Sequence, residues 1–212
     1  MKKNNYFTLI VLLLIASLSF SACSKDKDDD NDLSGQSGLS MKVNGAAWGT
    51  TINTLFTEPE ENSQLGEYYV VLVGGQRIDV EGSEDDVSSF NMYIVIPKSK
   101  FSNPKGTYHV YVAEGAMPGA ATASYTKSTS EGTASYESAN PADYTQSVGS
   151  VQITDFEIGE QTIVGQPTGV EGYTKLSGTF QMDVYPVQET PGPALKITEG
   201  KFSLKSGIGF DF

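Results

Sequence analysis

Residues 179–186 read TFQMDVYP, an alternation that puts Phe180, Met182 and Val184 on one side of an extended chain and Gln181 and Asp183 on the other. Successive side chains of a strand point to opposite faces, so this stretch is a strand with one face in a core and one in water. KFSLKS at 201–206 repeats the pattern, with Phe202 and Leu204 set against Lys201, Ser203 and Lys205. EYYVVLVGG at 67–75 and FNMYIVIP at 90–97 are apolar on both faces. In the second, Phe90, Met92, Ile94 and Ile96 share one side and Tyr93 and Val95 the other, which predicts central strands covered twice.

Two stretches change parity partway. VQITDFEIG at 151–159 moves from Val151 and Ile153 to Phe156 and Ile158, and one extra residue near Asp155 accounts for the exchange of faces. LKITEGKFSL at 195–204 flips around Glu199-Gly200, which fits either a tight hairpin or a glycine bulge. MKVNGAAW at 41–48 alternates until Asn44-Gly45, the strongest short hairpin signal, and should present Trp48 early in the next strand. Nine or ten strands, with turn signals every 8 to 15 residues, predict an all-β antiparallel sandwich or barrel over residues 41–212. Alternating strand and helix units are missing, and no repeat of 20 to 50 residues is visible. Residues 113–146, rich in Ala, Ser, Thr, Gly and Tyr, read as weakly paired hairpins or long loops. The ending GIGFDF reads as the closing strand of this domain, because it lacks the roughly ten-residue alternation of a lipid-facing barrel strand.

The N-terminus follows another logic. Residues 1–22 combine Lys2 and Lys3 with a nearly unbroken apolar run from Phe7 to Ala16 and small residues Ser21 and Ala22. That order is a secretory signal, and its apolar core falls short of the ~20 residues that span a bilayer. The only cysteine, Cys23, comes next. As a free thiol or half of an intermolecular disulfide it would be a lone cysteine in an exported protein. As a nucleophile it would want a partnered histidine in a folded site. As a lipid attachment point it needs only this position and these neighbours. The segment Phe20-Ser21-Ala22-Cys23 resembles the signal of bacterial lipoproteins, with phenylalanine where leucine is usual, and the resemblance implies acylation at Cys23. More than one chain, at ~0.8 kcal/mol per buried methylene, would anchor the protein to a membrane.

Residues 23–40 read as a flexible acidic tether, since SKDKDDDNDLSGQSG has no apolar periodicity. Asp26, Asp28 and Asp30 alternate like the opening of a calcium loop, but Asn31 and Ser37 stand where that loop needs its glycine and closing carboxylate. The chain carries 14 basic and 26 acidic residues, and loss of Lys2 and Lys3 with the leader leaves it near −14. Nucleic acid is therefore excluded as a partner, because phosphate binding needs clustered cations. Lys98, Lys100 and Lys105 form the only gathering and read as a solvated turn.

MKVNGAAW, GTYHVYV, LSGTFQMDV and LKITEGKFSLKS together resemble a group of Bacteroidetes outer-membrane lipoproteins with one β domain of unassigned function. The resemblance implies a barrel or sandwich of the lipocalin-like or calycin-like kind. Together with the acidic run after Cys23, it also implies display on the cell surface. It brings no catalytic residues.

Chemistry is sparse. A Ser-His-Asp arrangement would rest on the single histidine, His109, and no G-x-S-x-G elbow is present. Zinc would need three or four ligands, so neither metal nor cofactor is expected. His109 shares a strand face with Thr107 and Tyr111 and should face solvent. Glycosidases use paired carboxylates, and the candidates are Glu58, Glu60 and Glu61 in EPEE and Glu81, Glu84, Asp85 and Asp86 in EGSEDD. Both clusters read as solvated turns. Tyr111, Tyr125, Tyr136 and Tyr144 lie in or beside the long polar segment, and aromatic faces with polar tips suit sugars or peptides. The expectation is a non-enzymatic module that binds a glycan, a peptide or a small apolar molecule. An accessory subunit of an envelope complex and a hydrolase using paired carboxylates are the alternatives.

Overall fold

The computed structural model describes residues 38–62, 65–79, 86–111, 117–140, 143, 145–187, 190 and 192–210. The leader, Cys23 and the tether as far as residue 37 lie outside the described residues, as do Tyr144, Glu81, Glu84 and Asp85, whereas residues 38–40, read from sequence as the end of the tether, are strand. The fold is all-β. Twelve strands follow one another: β1 (Gly38–Val43), β2 (Ala46–Gly49), β3 (Ile52–Asn62), β4 (Gly66–Asp79), β5 (Asp86–Pro97), β6 (Gly106–Val110), β7 (Ala120–Thr129), β8 (Gly132–Glu137), β9 (Gly149–Ile163), β10 (Gln166–Pro186), β11 (Leu195–Lys205) and β12 (Gly207–Phe210).

They form one ladder in the order β12-β3-β4-β5-β7-β6-β9-β10-β11-β1-β2, with β8 placed against β7 and β10. Every pairing is antiparallel except the short parallel one between β6 and β7. The count exceeds nine or ten because two runs break and pair on both sides of the break. β2 pairs with β1, and after Thr50 and Thr51 its continuation β3 pairs with β4. β11 pairs with β10 and β1, and after Ser206 its continuation β12 pairs with β3. Chain continuity thus carries both ends of the ladder toward each other, and the sheet curls into a partial ring. GIGFDF supplies its closing strand through Gly207–Phe210.

Between β3 and the β9–β10 hairpin a side chain replaces the missing ladder. Gln161, fully buried, accepts from the Thr57 N–H at 2.7 Å and donates to the Thr57 carbonyl at 2.8 Å. The Tyr173 N–H donates to Thr57 Oγ1 at 3.1 Å. A primary amide offers one acceptor and two donors, so Gln161 mimics the backbone of an absent neighbouring strand.

The alternations of TFQMDVYP and KFSLKS are as expected: Phe180, Met182, Val184, Phe202 and Leu204 are buried. Asn44 and Gly45, at φ 48° and 86°, make the turn between β1 and β2, as the left-handed conformations of a tight hairpin require. β1 opens at Gly38, three positions before Met41, and its Leu39 is in the core. Opposite Asp155 the β9–β10 register skips one residue, the expected bulge. At Glu199-Gly200 the choice falls to a bulge: β11 gains one residue against both β1 and β10, with Glu199 at φ 54°. A Cβ on Gly200 would stand 2.5 Å from the Phe180 ring, which is why glycine occupies that place.

One expectation is corrected. The Ala- and Ser-rich segment 113–146 does hold a hairpin, β7 with β8, but not a weakly paired one: β7 is a central strand between β5 and β6 with Ala120, Ala121, Ala123 and Tyr125 buried. Small side chains there face large ones from other strands, so their poverty in aliphatic bulk marks close packing and not a loop.

Aromatic rings fill the interior. Tyr136, Tyr125, Trp48, Phe90, Phe180 and Phe202 follow in contact, with centroids 5.1 to 6.5 Å apart, and Phe90 and Phe180 are stacked. Trp48 Nε1 donates to Ser88 Oγ at 2.8 Å. A second group joins Tyr69, Phe101, Tyr173 and Phe156. The deeply buried phenols there are satisfied by backbone: Tyr173 donates to the Phe101 carbonyl, and the neighbouring Tyr108 to that of Pro104, both at 2.8 Å. Burial pushes the Tyr108 hydroxyl up to about 12 and that of Tyr173 further, so both stay protonated donors. Among the described residues no buried side-chain nitrogen or oxygen lacks a partner.

Candidate functional site

The outward residues of β6, β9, β10 and β11 form a polar groove of about 470 Å³. Its floor follows from register. Thr107 of β6 lies opposite Gln152 of β9, Gln152 opposite Thr179 of β10, and Thr179 opposite Lys201 of β11. All four are exposed, because each occupies the polar phase of an alternating strand. A second row runs beside the first, from His109 to Ser150 to Gln181. Strands lie ~4.8 Å apart, so the four-residue row extends about 14 Å across the sheet.

The Glu199-Gly200 bulge shapes one wall. A bulge bends its strand and re-aims side chains. Here Gly200 turns toward Phe180 while Glu199, on the outer surface, accepts an ion pair from Lys42 at 2.9 Å. A smaller groove of about 290 Å³ shares Gln181 and is bordered by Asp183 and Lys196, which face each other in register.

The floor is set apart by its free polar groups. Among the described residues, the side chains of Thr107, Gln152, Thr179, Gln181 and Lys201 have no hydrogen-bond or ion-pair partner. A few residues along the same strands, Lys175 bonds Asp155 at 3.0 Å and approaches Glu157 at 3.7 Å, while Lys105 reaches Asp155 at 4.0 Å. The hydrogen bond from Lys175, then its charge, holds the Asp155 carboxyl below the usual carboxylate range, and the same contacts raise Lys175.

The tyrosines singled out from sequence separate. Tyr111, half-buried, follows β6, and its ring stands edge-on to His109 with centroids 6.4 Å apart. His109 itself is exposed, as is Thr107 on the same face, and lies in register with Ser150 of the groove lining, though neither ring is part of that lining. Tyr125 and Tyr136 are register partners with rings 6.3 Å apart, but Tyr125 is only 6% exposed and packs on Trp48. Its ring belongs to the core and presents no open face. Tyr144 lies outside the described residues.

Glu58, Glu60 and Glu61 occupy strand β3 and not a turn, and all three are exposed. Partial burial, followed by the charge of Glu60, raises the Glu58 carboxyl. Asp86 opens β5. Lys98, Lys100 and Lys105 lie in or after a short 3-10 turn, exposed as expected, with Lys98 paired to Glu67. Among the described residues no group of three or more His, Cys, Asp and Glu is placed to hold a metal ion.

Gln152, Thr179 and Lys201 were missed by sequence reasoning. Their outward phase is visible in the alternation, but nothing local aligns residues from four strands into one row. No protein-family model, curated protein or solved structure matches this chain.

Proposed function

We propose that this protein is a bacterial envelope lipoprotein of the Bacteroidetes type, held in the outer membrane through lipid on Cys23 and displayed on the cell surface. Its β domain acts as a binding module whose ligand is a saccharide. The observation that carries this reading is the groove of exposed hydroxyls and amides, unpartnered within the described residues, across β6, β9, β10 and β11. Hydroxyl and amide groups both donate and accept, as sugar hydroxyls do. His109, edge-on to Tyr111, continues the same outer strand face beyond Thr107. A small apolar ligand held inside, as in a lipocalin, is disfavoured because aromatic rings occupy the interior.

Two measurements test the proposal. Cys23→Ser should move the protein out of the membrane fraction or leave the leader uncleaved. Normal cleavage with full membrane retention would overturn the anchoring. On a glycan and peptide array, the full chain purified in detergent should bind saccharides, and Gln152→Ala with Thr179→Ala should abolish that signal. Binding to peptides alone, or a protein partner recovered by crosslinking with no glycan signal, would replace saccharide binding with the accessory-subunit reading.

A further inference from the structure

From the charge distribution in the groove we infer that it selects acidic saccharides, those carrying carboxylate groups, over neutral ones; this rests on the binding function proposed above. The chain as a whole is strongly acidic, at −12, so its general surface repels anions. The groove departs from that background. Lys201 ends the row Thr107-Gln152-Thr179-Lys201 and has no carboxylate partner among the described residues. Lys42, Lys98, Lys105 and Lys175 each have one.

One carboxylate, that of Glu199, shares the groove lining with Lys201. Glu199 on the wall is engaged by Lys42, while Asp183 belongs to the adjoining groove, in register with Lys196 but not ion-paired to it. Lys201 is the cation on the lining of this groove, and it has no carboxylate partner among the described residues. An ammonium bonded to a carboxylate makes a short, charge-assisted hydrogen bond, roughly twice as strong as a neutral one. A sugar carboxylate at Lys201 would let the following rings lie over Thr179, Gln152 and Thr107, which supply neutral donors and acceptors along the row. The cation at one end also gives the saccharide a direction.

The test compares uronic-acid oligosaccharides with the same oligosaccharides fully methyl-esterified, so that backbone and length stay fixed and only charge changes. Binding to the full chain is measured by calorimetry. The acids should bind about tenfold or more tightly than their esters, in line with a hydrogen bond to a charged group. Raising the salt concentration should narrow the gap. Lys201→Gln should bring acid and ester to equal affinity, and Lys201→Arg should restore the preference for the acid; circular dichroism of each variant establishes that it is folded. Equal or tighter binding of the esters, or a preference that survives Lys201→Gln, overturns the acid selectivity and leaves saccharide binding standing. Absence of binding to acid and ester alike overturns the selectivity too, and the array then decides separately whether any saccharide is bound.

Discussion

Along β10, Phe180, Met182 and Val184 are buried among aromatic and aliphatic neighbours, while Thr179 and Gln181, one residue away, stand exposed in a groove. The two faces come from the same residues in alternation, yet they are supported differently. Each inner side chain is held by what surrounds it: Phe180 by Phe90 stacked at 5.1 Å and by Phe202 at 6.3 Å. The outer row has no such support within the chain. Farther along the same outer surface, Lys105, Asp155, Lys175 and Glu157 occupy one another. Inside, the sheet spends its side chains on stability; outside, it does so at one place and leaves them available at another.

That contrast breaks most visibly from within. Phe180→Ala should cost about 3–5 kcal/mol in denaturant unfolding, because it opens a cavity in the middle of the aromatic column. Its neighbour Thr179→Ala should stay within about 0.5 kcal/mol, as surface changes do. Equal losses at the two positions would mean that the faces are not distinct. Gln161→Leu comes next, at about 2–4 kcal/mol, since it leaves the Thr57 N–H and carbonyl buried without partners at ~1–3 kcal/mol each. Amide exchange should then accelerate at Thr57 and Tyr173 before it does in β4 and β5, and uniform acceleration would show that this side chain does not close the ring.

The smallest effect concerns the ion-paired outer region. Asp155 is depressed in the folded protein, so its contribution is present at neutral pH and lost as pH falls through its lowered value. Lys175 is raised, so its contribution is present below its ordinary value and lost as pH rises through the raised one. Lys175→Gln should therefore lower the melting temperature slightly near neutrality and not at all in strong acid. A penalty independent of pH would point to lost packing of the lysine stem instead.

Much of the fold was legible in local pattern. Alternation in TFQMDVYP and KFSLKS identified inner and outer phases, and the parity change near Asp155 located a bulge. Asn44-Gly45 named its own turn. The segment containing β7 was misread because small residues are ambiguous on their own: Ala121 and Ala123 look like loop until Phe90, Met92 and Trp48 are known to occupy the space nearby. Tyr125 was drawn to the surface by its polar tip, yet Trp48 and Tyr136 enclose its ring. The carboxylates of EPEE looked like a turn because of Pro59, which β3 accommodates opposite Tyr69.

The sequence by itself determined which side of each strand meets water, since a period of two is written in consecutive residues. It also determined the all-β class and the expectation of a lipid anchor at Cys23. Only the tertiary structure decided that Thr107, Gln152, Thr179 and Lys201 stand side by side, that Gln161 bridges to Thr57 across 104 positions of chain, and that Lys201 meets the groove with no carboxylate partner among the described residues. Those are matters of register between distant strands. Register depends on bulges, turns and packing summed over the whole sheet, and no short stretch of residues contains that sum.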